Sequence, residues 1–322
     1  SSFKLLDGSA VGGVTSDAQF NTVGGTQSGD AFTGTDATRN TLYGYGTGTR
    51  ITSGDDNTHF GYNAGSYITS NFGTTFIGAR SGEDATGMRQ TGLGFKSLYK
   101  ATGSNNIAVG YEAGVEILAG SSNVCMGYLA GGNTTSADRN VALGYNAMYS
   151  SGTTNTGGYN IAIGSEPLKN CTSSVYNVCI GTNAGGSLTS GSSNNVLIGT
   201  NTGNNFSSDS SDNIALGYGA LGASGTNIEG NTVLGYRAGS GVTHKNNVII
   251  GRDAALEWNS VGVTLAHGEN NIIIGYNAAP STTTTDNEIT LGNGSITKFR
   301  IPGVSASCLL YTSPSPRDTR ES

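Results

Sequence analysis

The sequence predicts an all-β protein, a parallel β-solenoid (β-roll) of about fifteen coils of about 17 residues each. Three observations predict this fold: a five-residue word recurs at a nearly fixed period, its first apolar position is β-branched, and the composition is unlike that of a globule. Gly accounts for 52 of the 322 residues and charged residues for only 12%, about half the usual charged share. Such a chain folds if its apolar residues recur in register and stack on the next coil.

The recurring word is Asn, three apolar residues and Gly, as in Asn106–Gly110 and Asn247–Gly251. Fifteen closing glycines follow one another at nearly constant intervals, except for two longer units that end at Gly164 and Gly275. A fixed period of this kind is typical of stacked coils. The residues assigned to the structural repeat are Asn106, Gly110, Asn123, Gly127, Asn140, Gly144, Asn160, Gly164, Asn177, Gly181, Asn195, Gly199, Asn213, Gly217, Asn231, Gly235, Asn247, Gly251, Asn271 and Gly275.

Five further units close at Gly44, Gly61, Gly78, Gly94 and Gly292, and Gly25 is a candidate for a degenerate sixteenth. Asn opens twelve of the fifteen units. A hydrogen-bonded Asn ladder and a left-handed turn residue are both plausible reasons for it. The closing Gly is predicted to need a positive φ or a close backbone approach.

The three apolar columns of the word predict which faces are buried. The first column, from Thr41 to Ile272, is β-branched, which suits a strand. Alternate side chains share one face, so the first and third columns are predicted to fill the coil. The middle column, from Leu42 to Ile273, is also mostly apolar. Since a strand that is apolar on both faces is buried on both, another chain is predicted to cover the middle column, which makes the protein an oligomer.

Several residues of the repeat are interpreted as packing residues without a chemical role. His59, in the middle column, is interpreted as tolerated packing, with a ligand or a pH switch as the alternative. Tyr follows the closing Gly in eight of the fifteen units, and this ladder is interpreted as packing, with sugar binding as the alternative. The cysteines contain no C-x-x-C pair and are interpreted as small buried residues, not as a metal or redox site. They are Cys125, Cys171, Cys179 and Cys308.

The two longer units supply the candidate receptor-binding loop, because an insertion in one repeat maps to a loop on one face, which is often the binding face. The first longer unit, which ends at Gly164, holds Tyr149 and Tyr159. The second, which ends at Gly275, holds Glu257, Trp258 and His267. Trp258 is the only Trp in the chain.

Two segments that each consist of a word and the three residues after it, Asn140–Ala147 and Asn271–Ala278, resemble the head repeats of trimeric autotransporter adhesins (YadA-like) and, equally, the repeats of phage tail fibres. The resemblance covers roughly residues 36 to 300. It implies a left-handed parallel β-roll, three chains around one axis, and attachment to a surface. Residues 1–35 are predicted to be a lead-in or degenerate coil, residues 36–303 the solenoid, and residues 304–322 a disordered tail that looks like translated sequencing-adapter sequence.

The sequence favours a structural or adhesive role and not an enzyme. No basic stripe predicts nucleic-acid binding, no apolar run is long enough for membrane insertion, and no motif predicts a metal, a cofactor or catalysis. The leading hypothesis is the shaft of a phage or virus-like tail fibre, a homotrimer that carries receptor-binding loops. Its expected partners are itself and a host cell-surface glycan or protein receptor. Its expected location is extracellular, on a virion or a bacterial cell.

Three alternatives stay open. The first is the head domain of a bacterial trimeric surface adhesin. The second is a polysaccharide-degrading tailspike, which would need acidic residues on neighbouring coils. Its candidates are Asp209, Asp212 and Glu229, or Asp253, Glu257 and Glu269. The third is an ice-binding solenoid, which would need a flat Thr array, and the Thr run in the first column covers only the first four units.

Overall fold

The computed structural model describes residues 14–32, 35–150, 154–206, 208–222, 225, 227–256 and 268–298. Within those ranges the chain is all-β, with one sheet of 17 strands and no helix. The strands are β1 (Thr15–Ser16), β2 (Thr22–Gly24), β3 (Thr41–Tyr43), β4 (Thr58–Phe60), β5 (Thr75–Ile77), β6 (Thr91–Leu93), β7 (Ile107–Val109), β8 (Val124–Met126), β9 (Val141–Leu143), β10 (Ile161–Ile163), β11 (Val178–Ile180), β12 (Val196–Ile198), β13 (Ile214–Leu216), β14 (Thr232–Leu234), β15 (Val248–Ile250), β16 (Ile272–Ile274) and β17 (Ile289–Leu291).

The strands stack in chain order as a parallel solenoid, which confirms the predicted fold. From β2 to β17 each strand pairs in parallel with the next, and residues at the same place in the word are direct partners, as in Ala162 with Cys179. Strand β2 is the sixteenth unit that Gly25 suggested. Strand β1 pairs antiparallel with β2. At about 4.8 Å per strand, the array is a rod roughly 70 Å long.

The middle column of the word fills the interior of the solenoid, so the predicted facing of the columns was wrong. Every middle residue from Leu42 to Ile273 is buried within the single chain, whereas the first and third columns, such as Ile107 and Leu234, point outward. The second half of each coil completes the core with side chains such as Ile51 and Ile117. The middle column holds both small residues such as Ala142 and large ones such as Phe76, and all of them are buried.

Side-chain volume in this core is balanced within each coil. The middle residue faces the position four places after the closing glycine: a Cβ on Gly48 would lie 2.8 Å from the Leu42 side chain, and one on Gly82 would lie 2.5 Å from Phe76. Where the middle residue is small, that position is usually large and also fully buried. These reversed pairs are Gly92 with Leu98, Ala142 with Met148, Ala162 with Leu168, and Ala215 with Leu221.

Three coils depart from this exchange, because both positions are small: Ala108 with Gly114, Cys125 with Gly131, and Cys179 with Gly185. A Cβ on Gly114 would lie 2.8 Å from Ile117, which occupies the space in the first of them. Close packing of protein interiors explains why the volume is conserved.

The Asn that opens each word forms a buried ladder. Oδ1 of Asn195 accepts from the backbone N–H and the side-chain Nδ2 of Asn213, at 3.1 and 3.0 Å. Its own Nδ2 donates to Asn177 Oδ1 at 2.9 Å and to the carbonyl of Ser210 at 2.8 Å. A buried amide must be satisfied in this way, and the ladder prediction is confirmed. The turn-residue alternative was wrong, because the residue before the ladder Asn, such as Asn194, has the positive φ.

The ladder has a break and two defined ends. Thr74 and Gln90 replace Asn in two coils, and Asn106 begins a second run that continues to Asn271. At the N-terminal end the carboxylate of Asp17 accepts from the backbone and side-chain N–H groups of Asn21 at 2.8 and 2.9 Å. At the other end the N–H of Glu288 donates to Asn271 Oδ1 at 2.8 Å.

The closing glycine meets both predicted requirements. Gly181 has φ 135°, and a Cβ there would lie 2.5 Å from the carbonyl oxygen of Gly199 in the next coil. A side chain would therefore collide with the neighbouring backbone, and the left-handed conformation disfavours L residues as well.

The cysteines of the described region, Cys125, Cys171 and Cys179, are buried free thiols, in agreement with their interpretation as small core residues. Burial raises the pKa of the Cys125 thiol to about 12 and that of Cys171 to about 11, so both are protonated and unreactive at neutral pH. Cys308 lies outside the described residues.

Candidate functional site: the outer face and its flanking ladders

The outer face of the sheet is an uncharged, largely apolar stripe formed by the first and third columns, in which the first column is Thr from β2 to β6 and again in β14. Ile214 is 45% exposed and Leu234 is 47% exposed, while Phe60 near the N-terminal end reaches 52%. Neither column contains a charged residue. The stripe therefore presents two rows of partly exposed side chains along one side of the rod, β-branched in the first column and mostly aliphatic in the third.

The stripe is large for a surface that faces water. Its length of roughly 70 Å and a width of about 10 Å give an area on the order of 700 Å². The largest apolar patch of a typical monomer covers about 300–600 Å², and a stable protein interface buries about 800 Å² on each partner. The face is therefore larger than an ordinary exposed apolar patch and close to the area that one side of a stable interface buries.

Aromatic ladders run along the edge that follows each strand, directly after the closing glycine. Tyr111, Tyr128 and Tyr145 continue a stack that begins at Phe95, with ring centroids 5.3–5.5 Å apart. Shorter stacks join Tyr45 with Tyr62 and Tyr218 with Tyr236. These rings pack on one another, as the packing interpretation expected. Each of the tyrosines is nevertheless about half exposed, so the outer edge of each ladder is accessible to solvent.

The predicted receptor-binding residues divide into a described pair and a group outside the described residues. The pair, Tyr149 and Tyr159, occupies different environments. A Cβ on Gly132 would lie 2.6 Å from the Tyr149 ring, so this ring covers the neighbouring coil. Tyr159 is 43% exposed, stacks on Tyr176 at 4.9 Å and receives a hydrogen bond from Arg139. The predicted residues Glu257, Trp258 and His267 lie outside the described residues.

The acidic residues considered for a tailspike include two that form ion pairs. Glu229 lies 2.7 Å from Lys245, and Asp253 lies 3.1 Å from Arg252. Pairs of this kind are ordinary on a protein surface. Within the described ranges, no three His, Cys, Asp or Glu side chains converge as a metal site. No helix in that same part of the chain is long and apolar enough to cross a membrane.

Comparison of the chain with known protein families, with curated proteins and with solved structures gives no significant match.

Proposed function

We propose that the chain is a structural and adhesive fibre segment, the shaft of a phage or virus-like tail fibre that assembles as a homotrimer and displays receptor-binding loops. The single observation that carries the proposal is the uncharged apolar stripe on the outer face of the sheet. The middle column fills the interior, so the side chains of the first and third columns lie outside the coil. The described part of the chain does not cover them.

A second and third copy of the same chain are the occupants that fit the stripe best. Each copy carries the same straight row of side chains at the same strand spacing, so identical rods match one another along their whole length. Three stripes that face a common axis cover one another without leaving an edge. The oligomer proposed here uses the first and third columns, whereas the sequence-based argument had used the middle column.

The fibre role follows from this shape. A rod of roughly 70 Å whose coils contact only their neighbours is an extended spacer, and a trimer of such rods repeats every exposed loop three times. Extracellular exposure on a virion is the proposed setting. The head of a bacterial surface adhesin is the second candidate, because the same words resemble both families. The neighbouring genes would separate the two: baseplate or chaperone genes indicate a fibre, and a membrane-anchor gene segment indicates an adhesin.

The test is the molecular mass of the purified chain by light scattering. The monomer mass is 32.6 kDa, so the expected mass is three times that value. Substituting Met126→Lys and Leu234→Lys, which are 43% and 47% exposed in the single chain, places charges on the stripe. This variant should fall to the monomer mass with its β-sheet circular dichroism intact.

The matched control is Thr52→Lys with Asn205→Lys, which adds the same charge at exposed positions outside the strands. It should retain the trimer mass. A parent protein of single-chain mass would overturn the proposal, and so would equal dissociation in the two variants.

A further inference from the structure

The second and third coils form a cleft. None of the residues predicted to bind a receptor lies in it. Its volume is about 300 Å³, at the lower end of the range for small-molecule sites. Its lining includes Tyr45, Tyr62, Tyr67, Arg50, Asn63 and Ser66. These residues lie one to six places after a closing glycine, so the cleft is separate from the apolar stripe.

The shape of the cleft depends on a glycine in a column of otherwise long side chains. The position two places after the closing glycine holds Gln27, Gly46, Asn63 and Arg80 in successive coils. A Cβ on Gly46 would lie 2.3 Å from Oδ1 of Asn63, so the Asn63 side chain keeps its position at the cleft only because residue 46 is glycine. The φ of Gly46 is 65°, a backbone conformation that Asn also tolerates.

The cleft holds a cation without an acidic partner. Arg50 is exposed, and its guanidinium carbon lies 4.1 Å from the centroid of the Tyr67 ring. This contact positions the guanidinium while its N–H groups remain available to a ligand. None of the ion pairs in the described part of the chain includes Arg50. An anionic group is therefore the complement of this position.

The rest of the lining fits a polyhydroxylated ring. Tyr45 and Tyr62 stack at 5.6 Å and are each about half exposed, which offers an apolar edge with a hydroxyl. Gln27 adds an amide group, and Asn63 adds its Oδ1, since its Nδ2 already donates to Glu83 Oε1 at 3.3 Å. The Glu83 carboxylate is itself paired with Arg80. Ser66 is 5% exposed, and its Oγ is buried with no hydrogen-bond partner among the described residues. A buried hydroxyl without a partner is costly, and a ligand hydroxyl in the cleft would supply one.

The geometry points to an acidic saccharide as the ligand: a pyranose ring beside Tyr45 and Tyr62, with its carboxylate on Arg50. The inference rests on the proposed function, since it names the chemical class of receptor that such a fibre would bind. It places the receptor site at the cleft and not in the longer units that the sequence favoured. In a trimer the cleft would occur three times, so a polymeric ligand would gain avidity.

The test is titration of the full chain with an oligogalacturonate by calorimetry, with a neutral galactose oligomer in parallel. The acidic oligomer should bind more tightly. Because hydrogen bonds to a charged group dominate such a contact, Arg50→Gln should weaken binding about tenfold or more. Gly46→Asn, which displaces the Asn63 side chain in the cleft and keeps every charge, should abolish it.

Two matched controls separate the cleft from general effects. Arg252→Gln removes an arginine that also lies over a tyrosine, 5.6 Å from the Tyr236 centroid, but whose charge is paired with Asp253. Gly219→Asn fills the same column position in a distant coil, where φ is 61°. Both should bind the acidic oligomer like the parent.

Absence of saturable binding, or equal loss in Arg50→Gln and Arg252→Gln, would overturn the inference. Equal affinity for a glutamate tetrapeptide would also overturn it, by assigning the cleft to acidic peptides. Light scattering on the same samples keeps the two proposals apart: a monomer that binds the saccharide refutes only the trimer, and a trimer that does not bind refutes only the cleft.

Discussion

Nε2 of His59 lies 2.8 Å from Oγ1 of Thr74 inside the solenoid. The Thr74 hydroxyl donates its own proton to Asn57 Oδ1, so it accepts from His59 and the proton of the imidazole is on Nε2. Nδ1 is buried without a hydrogen-bond partner among the described residues. Burial lowers the pKa of His59 to about 3. The residue is a neutral member of the core, as the packing interpretation expected.

This burial predicts a pH-dependent stability. Between a pKa of 6.5 for the unfolded chain and about 3 for the folded chain, only the unfolded state binds the proton. The free energy of unfolding therefore falls as the pH is lowered through this window. His59→Leu, which imitates the Leu42 and Leu197 coils, should lose less stability between pH 7 and pH 4 in urea denaturation. Carboxylates such as Asp56, whose pKa is lowered chiefly by its hydrogen bond with Arg39, affect both proteins equally. Parallel pH profiles would contradict the prediction.

The exchange of volume between Ala162 and Leu168 predicts a strong coupling between two substitutions. Ala162→Leu alone overpacks the coil and should cost about 1–3 kcal/mol. Leu168→Gly alone leaves a cavity and should cost about 2–5 kcal/mol, less the relief of a leucine held at φ 49°. The double variant recreates the Leu197 and Gly203 coil and should be nearly as stable as the parent. Chemical denaturation of all four proteins gives the coupling energy, and simple additivity would show that these residues do not share one space.

A carboxylate in the middle column should unfold a coil. Ala142→Asp places a charge where the parent side chain is fully buried, at a cost of several kcal/mol. Ser122→Asp, on an exposed turn, should be near neutral. Thermal unfolding followed by circular dichroism measures both. Equal melting points would mean that the middle column faces solvent after all.

Removal of one ladder amide should destabilise the array locally. Asn195→Ala leaves the N–H groups of Asn213 without their acceptor and the carbonyl of Ser210 without its donor. The expected cost is about 1–3 kcal/mol for a buried group left unpaired. Asn205→Ala removes one exposed hydrogen bond to Gly222 and is the control. Hydrogen exchange should show lost protection in the coils next to residue 195. A loss of similar size in the control would argue against a special role for the ladder.

The sequence predicted the position of every strand from β3 to β17, because the apolar triplet of each word marks the strand and the closing glycine marks the turn. It did not predict which face is inside, since both faces are largely apolar and apolarity alone does not distinguish them. Size was the missing signal. Ala142 with Met148 and Leu42 with Gly48 show that the middle column exchanges volume with another position of its own coil, which an outward-facing column would not need to do.

The candidate site was harder to predict for a different physical reason. Gly46 shapes the cleft by leaving room for the Asn63 side chain, and one glycine among 52 gives no sequence signal until the columns are aligned. Tyr149 was chosen because it lies in an insertion, yet its ring covers the neighbouring coil. Arg50 and Tyr67 lie in successive units of ordinary length, and only the stacking of the coils brings them into contact.

The side-chain amides of the Asn ladder give the rod a dipole along its axis. Each side-chain carbonyl, as in Asn177 and Asn195, accepts from the coil that follows it, so the amide dipoles align along the axis and add, as peptide dipoles do in a helix. The negative charge of Asp17 lies at the donor end, and the hydrogen bond from the Asn21 side chain is the main cause of its lowered pKa. The two ends of the rod are thus chemically opposite. Each ladder Asn offers a donor to the coil before it and an acceptor to the coil after it, so a further coil continues the ladder only when it runs in the same direction.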